Sequence, residues 1–439
     1  MSPRYFYGWT VVGATFVMAM FSFGLGFYGL TVYLASLQRL HGWSASTVSA
    51  PVTVYYVAGA LLTAATSGLY ERLGPRAVVI GGSIAMVSGV AALGIVARPW
   101  QLYPVFLVMS VGWGAMSGAA INVILAPWWQ RRRGLAVSIA FNGATLGGVL
   151  VAPVLIGLID ALGFTRALAV AAVVSLMALL VTAALMRRDP RELGLGPDGG
   201  TAPVVHAEDP AAAKESKRGR GEALRTWRLW SVSAPFALGL AAQVGVLTHL
   251  VALVTPTLGG AAAARAVSAA TAAALIGRLV TGFVVDRLNR RVVASATLIV
   301  QIVGVTLLAR AGSPAGIYAG CALFGLGVGN LTTLPGLILA VEWPRASFSA
   351  LVGLVVGINQ FTFAFGPSLV GLIRDWAGSY GPALAACTVL EAVAASLIVL
   401  GPRRSRPGAS ASNAWLRAPP RRGRRWRSAR GHPAPGTWW

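Results

Sequence analysis

Runs of about 20 apolar residues, each closed by a short polar or basic patch, repeat along the chain from Gly8 to Gly401. They fall near 8–34, 46–69, 77–97, 101–127, 134–159 and 164–186, then near 229–257, 264–285, 292–311, 314–341, 349–373 and 380–401. Each is long enough for a helix to cross a bilayer and satisfy its own backbone in lipid. Barrel strands would be about half as long and would alternate in polarity, which these runs do not. The pattern predicts an all-α membrane protein with twelve transmembrane helices in two six-helix bundles. Residues 1–186 form the first bundle, 187–228 a central loop, 229–401 the second bundle and 402–439 a basic disordered tail. The first run exceeds the apolar core of a cleavable signal, so it counts as a span.

The two sets repeat one another. "SGLYERLGPRAVV" after the second run answers "GFVVDRLNRRVV" after the eighth, "APVLIGLID" answers "GPSLVGLIR", and "GWG" at Gly112 answers "GLG" at Gly325, all about 213–215 residues apart. Parallel repeats of this kind are a transporter design with the binding site between the halves.

Composition agrees: 56% of the 439 residues are hydrophobic and 11% charged, against about 25% charged in a soluble domain. The net charge of +23 is mostly a topology signal, because 29 of the 36 basic residues fall on the side of the two termini and six on the other. Basic loops face the cytoplasm, so both termini are expected there, in a multi-pass protein of a bacterial inner membrane. Nucleic acid is not implied. The tail's arginines and tryptophans suit anionic headgroups, although an unconstrained tail is the simpler reading. Cys321 and Cys387 lie within apolar runs, and no metal-ligand spacing, nucleotide loop or catalytic constellation occurs. No cofactor, no metal and no enzymatic activity are expected; a monomer is.

At the loop after the second run the chain resembles the major facilitator superfamily, whose signature there reads roughly G-x-x-x-D-R-x-G-R-[KR]. The first copy has Glu71, Arg72 and Arg76; the second has Asp286, Arg287 and Arg291. Carboxylates and arginines so placed can latch helices that part and rejoin during rocking. A narrower resemblance is to monocarboxylate transporters and their bacterial relatives, including oxalate/formate exchangers. It rests on Trp128-Trp129-Gln130-Arg131-Arg132-Arg133-Gly134-Leu135-Ala136, with Ala140 and Gly143 in register, on "FYGWTVV" before the first run and on "DPRELGLGPDG" after the sixth.

Arg278 stands alone in the eighth apolar run. A central arginine costs about 2.5–3.5 kcal/mol on insertion scales, and it keeps its charge. Glu391 is the only carboxylate central to a span, so a carboxylate solute is the natural partner. The resemblance implies the same, since monocarboxylate transporters hold substrate with an arginine at this place. Their animal members have an aspartate where this chain has Ala274 and a lysine where it has Tyr28. Oxalate exchangers have a lysine where it has Asn359 and Gln360. A single cation favours a monoanion. The expected site is Arg278 with Tyr28, His249, Asn359, Gln360, Asn330 and Asn122; His249 and Glu391 are the proton-coupling candidates. The reading is alternating-access transport of lactate- or pyruvate-like anions with proton symport. Anion exchange, drug or sugar efflux, and a non-transporting receptor or scaffold are the alternatives.

Overall fold

The computed structural model describes residues 6–200, 221–285, 287–343 and 345–401. Asp286, residues 201–220 of the central loop and the tail 402–439 lie outside the described residues, and with them the expectations placed there. Among the described residues, eleven helical stretches are long and apolar enough to cross a membrane, and Pro314–Val328 is a shorter apolar helix.

In chain order, α1 is Gly8–His41. Spans α2 (45–73) and α3 (75–93) belong to one helical run, Ala45–Leu93, broken at Gly74. Helix α4 is Pro99–Leu125, α5 Arg133–Leu162, α6 Phe164–Leu185, α7 Trp227–Leu258, α8 Gly260–Val284 and α9 Arg290–Arg310. Helix α10 comes in two pieces, Pro314–Val328 and Leu334–Glu342, and α11 in two, Arg345–Phe363 and Gly366–Ala377. Helix α12 is Gly381–Val399.

Local chemistry explains the boundaries. Gly74 adopts φ 76°, ψ 164°, a left-handed conformation that a side chain would penalise. Ser44, Thr226, Asn289 and Ser313 accept the early N–H groups of α2, α7, α9 and α10. Within the spans, hydroxyls such as those of Thr15, Ser83, Thr248 and Thr271 donate back to carbonyls four residues earlier, so few polar groups are left facing lipid.

Two interruptions differ from the unbroken spans read in the sequence. Helix α4 breaks at Ser117, which is extended (φ −74°, ψ −174°), and α10 breaks over 329–333. Their separation matches the internal repeat, so corresponding helices of the two halves are cut at corresponding points, a mark of a site between halves.

Hydrogen bonds between the halves, among the described residues, run from Thr145–Arg278 through Val149–Ser268, Thr31–Val251 and Thr53–Ser368 to Asp375 with Ala45 and Ser46. All lie from mid-span toward the face where α1 ends and α2 begins, here the far face. On the near face, where α1 begins, Glu71, Arg72, Leu135 and Phe283 are exposed. Among the described residues, the halves are hydrogen-bonded to each other from mid-span to the far face.

Candidate functional site

Arg278 is the deepest of these inter-half contacts, about 27 Å along α8 from Gly260. Its Nη1 donates to Thr145 Oγ1 on α5 at 3.0 Å, and its Nη2 reaches the carbonyl of Gly329 at 3.5 Å, where α10 breaks. Its Nε is buried without a partner. Among the described residues no carboxylate pairs with it. The guanidinium lies flat against Gly329: a Cβ there would sit 2.9 Å from Nε and Nη2. A cation held by two neutral oxygens, with donors to spare and half-buried where the two halves meet, is equipped to take an anion.

Tyr28 stands beside it, within electrostatic reach. It ends the π-helical turn Gly24–Tyr28 in α1, a bulge of the kind that re-aims a side chain at functional sites. Tyr55 supports the bulge by donating to the Gly26 carbonyl at 2.8 Å. The Tyr28 ring rests on Gly148 of α5, where a Cβ would come within 2.8 Å of the ring and 2.6 Å of the Thr271 methyl. Next to Tyr28, the rings of Phe27, Tyr56, Trp113 and Phe363 form one aromatic wall spanning both halves.

The other expected residues are dispersed. Asn330 is buried behind Arg278, donating to the carbonyls of Gly277 and Leu326 and so tying α8 to α10. Asn359, with its amide oriented to satisfy both groups, donates to Val355 and Ser233 carbonyls at 3.2 Å and ties α11 to α7. Asn122 donates within its own helix to Gly118, and Gln360 is half-buried on α11. Glu391 is fully buried inside the second half.

His249 lies apart from Arg278. It lies about 13 Å nearer the far face, counted along the helices. Its Nε2 donates to the Pro367 carbonyl at 3.0 Å, leaving Nδ1 as acceptor for the Tyr380 hydroxyl at 3.1 Å. Burial pushes the Tyr380 hydroxyl up to about 12, so it remains a donor. Both ring nitrogens are occupied by protein.

Tyr380 belongs to a far-face cluster absent from the sequence reading. Arg374 sits over its ring at 5.8 Å and donates to Asp375 at 3.0 Å. The Asp375 carboxylate accepts the backbone N–H groups of Ala45 (3.1 Å) and Ser46 (2.6 Å), capping α2 of the opposite half. Losing a cap costs about 0.5–2 kcal/mol, so Asp375→Ala should shift the balance of far-face states about 2- to 30-fold toward open. Labelling of a cysteine placed at Thr53, itself in the closed seam, is expected to accelerate accordingly; an unchanged rate would exclude the latch.

A cavity of about 340 Å³ opens beside this seam, lined by Ser36, Gln38, Arg39 and Asp160 among others. It lies at the far-face end of α1, α5, α7 and α8, not at Arg278.

At the near face, Arg76 donates to the Ala184 carbonyl and Arg188 to that of Glu71, whose own side chain is exposed. Arg291 is buried. It makes a two-pronged ion pair with Glu342 (2.7 and 2.9 Å) and donates to the carbonyls of Ser231 and Ile398, so it binds α7, α9, α10 and α12 within one half. Asp198, also missed in the sequence, accepts the N–H groups of Gln130 and Arg131 and fixes the turn into α5.

A family model described as Major Facilitator Superfamily matches residues 16–265 and 251–439. "MFS-type transporter 1" of Ophiocordyceps sp. (strain BCC 1869) is 27% identical over 83% of this chain and 77% of its own length. "Monocarboxylate transporter 11" of Mus musculus is 27% identical over 91% of this chain and 88% of its own. Among solved structures, a bacterial homologue of the human lysosomal transporter Spinster, in an inward-facing and unoccupied conformation, superposes with a TM-score of 0.68 at 14% identity, covering 91% of this chain and 96% of its own.

Proposed function

The chain belongs to the major facilitator superfamily, and we propose that it is a secondary transporter of small organic monocarboxylates, of the size of lactate and pyruvate. The observation that carries this reading is Arg278: one guanidinium at mid-span between the halves, held among the described residues by the neutral oxygens of Thr145 and Gly329. The binding of a carboxylate would draw it off Gly329 and give its unused Nε a partner. Tyr28 supplies a further hydroxyl. The relatives named as monocarboxylate transporters support the solute class.

The seams already described support alternating access in this reading. With the termini in the cytoplasm, as the basic residues favour, this conformation faces inward. Parting of the Asp375 cap and closing of the near face around Arg278 would expose the same site outward. Proton symport drives accumulation in this reading.

Uptake of radiolabelled lactate and pyruvate into proteoliposomes tests it. Acidification of the outer buffer should accelerate uptake, and excess unlabelled monocarboxylate should compete where oxalate does not. Uptake indifferent to the pH gradient but stimulated by internal anion would replace symport with exchange. Competition by sugars or cationic drugs, with none by carboxylates, would overturn the solute class.

A further inference from the structure

Three polar side chains meet in the apolar interior of the second half, none of them exposed beyond 1%: Gln243 on α7, Gln301 on α9 and Glu391 on α12. The Gln301 and Gln243 amides lie 2.8 Å apart. With its amide oriented to satisfy its neighbours, Gln301 donates to Glu391 Oε1 at 3.2 Å and accepts the Val328 N–H at 3.2 Å. Glu391 Oε2 is buried without a partner. A carboxylate in that setting has no cation and only one hydrogen bond, whereas a neutral acid is accommodated.

Among the described residues, no charged side chain is hydrogen-bonded to the Glu391 carboxyl. On its own helix the nearest titratable group is Cys387, one turn away. Helix α9 carries Arg290 and Arg310 at its two ends and Arg291, engaged with Glu342 and with Ile398, seven residues along α12 from Glu391. From α7, His249 is bonded to Tyr380 and Pro367; from α11, Arg374 and Asp375 sit at the far face. None of these is in hydrogen-bonding contact with the Glu391 carboxyl.

The position of Gln301 gives the cluster its reach. Val328 is the last residue of the first piece of α10, and Gly329, the next residue, carries the Arg278 guanidinium and accepts from it. Gln301 also packs onto Gly327, where a Cβ would lie 2.2 Å from its Cγ. Glu391 and Arg278 therefore act on the same break from opposite sides.

We propose that Glu391 is the proton-binding site of this transporter, linked to Arg278 through Gln301 and the α10 break. The proposal rests on the carboxylate reading of Arg278. When Glu391 loses its proton, the carboxylate draws the Gln301 amide and alters its hold on the Val328 N–H. When a solute carboxylate binds, Arg278 is drawn off the Gly329 carbonyl. Each event biases the geometry of 327–329; in this proposal the protonated acid and the bound monoanion favour the same geometry, so the two bind with positive coupling, and the coupling is reciprocal. One proton enters Glu391 for each monoanion entering at Arg278.

The test uses the full chain in proteoliposomes with lactate and pyruvate as probes. Wild type should accumulate lactate up to about 10-fold above the level without a pH gradient at one unit of ΔpH. It should also take up about one proton per lactate, read by trapped pyranine. Glu391→Gln, which preserves the hydrogen bond to Gln301, should lose both the accumulation and the pyranine signal while still exchanging labelled for unlabelled lactate. Gln301→Leu, which leaves the acid but cuts the link, should retain uptake with the stoichiometry reduced below one. Full accumulation in Glu391→Gln, or an unaltered stoichiometry in Gln301→Leu, would overturn the inference and leave the carboxylate reading standing. If wild type failed to exchange lactate or pyruvate, both would fall. Should Glu391→Gln not fold, the Gln301→Leu stoichiometry and the wild-type pyranine signal decide alone.

Discussion

Arg278→Gln is expected to abolish lactate uptake and the lactate-induced rise in thermal stability together. Truncating one member of a buried, hydrogen-bonded charge pair costs about 2–5 kcal/mol, which corresponds to at least a 30-fold loss in affinity by about 1.4 kcal/mol per decade. Arg278→Lys should recover part of it, because the charge stays but the flat fork that lies on Gly329 and reaches Thr145 is gone. The fold should tolerate both changes, since among the described residues the guanidinium has no carboxylate partner to strand. Unchanged uptake by Arg278→Gln would remove the arginine from the site.

The second large effect concerns stability. Arg291→Ala should lower stability by about 3–5 kcal/mol, the cost of leaving a buried partner charge uncompensated. The charge left behind is Glu342, whose side chain is 14% exposed against 7% for Arg291. Four helices lose a common anchor in that variant, so the melting temperature in detergent should fall and the monodisperse fraction shrink. Arg291→Met combined with Glu342→Leu should be milder than Arg291→Ala, because an apolar pair of similar volume removes the stranded charge. A melting temperature for Arg291→Ala equal to wild type would contradict this account.

The spans were legible because lipid leaves a helix few alternatives, and twenty apolar residues in a row state the requirement openly. The breaks were less so. Around Ser117 the sequence stays small and apolar, and nothing marks one extended residue; around Asn330 the run "GNLTTLPG" carried polar groups and a proline that could have been read as an interruption. Arg278 showed itself by charge alone, whereas Thr145 and Gly329 are ordinary residues whose importance depends on what folds against them. Gln243 and Gln301 offered the same signal as Arg278, a polar group in an apolar run, in weaker form. His249 looked central by position along α7, but depth within a helix does not say which neighbour it faces. Asp375 looked like one more charge at a span end, because capping a helix from the other half leaves no trace in local sequence.

The scarcity of acid around Arg278 also has an electrical side. With Glu391 ionised, the interior of the unloaded carrier sums to zero; with the proton and a monoanion aboard, it sums to zero again, and the Arg291–Glu342 pair cancels in both. Membrane voltage then does no net work on either crossing. A carrier with an uncharged residue at 391 would instead return empty as a cation, opposed by a negative interior at up to about 2.3 kcal/mol per 100 mV.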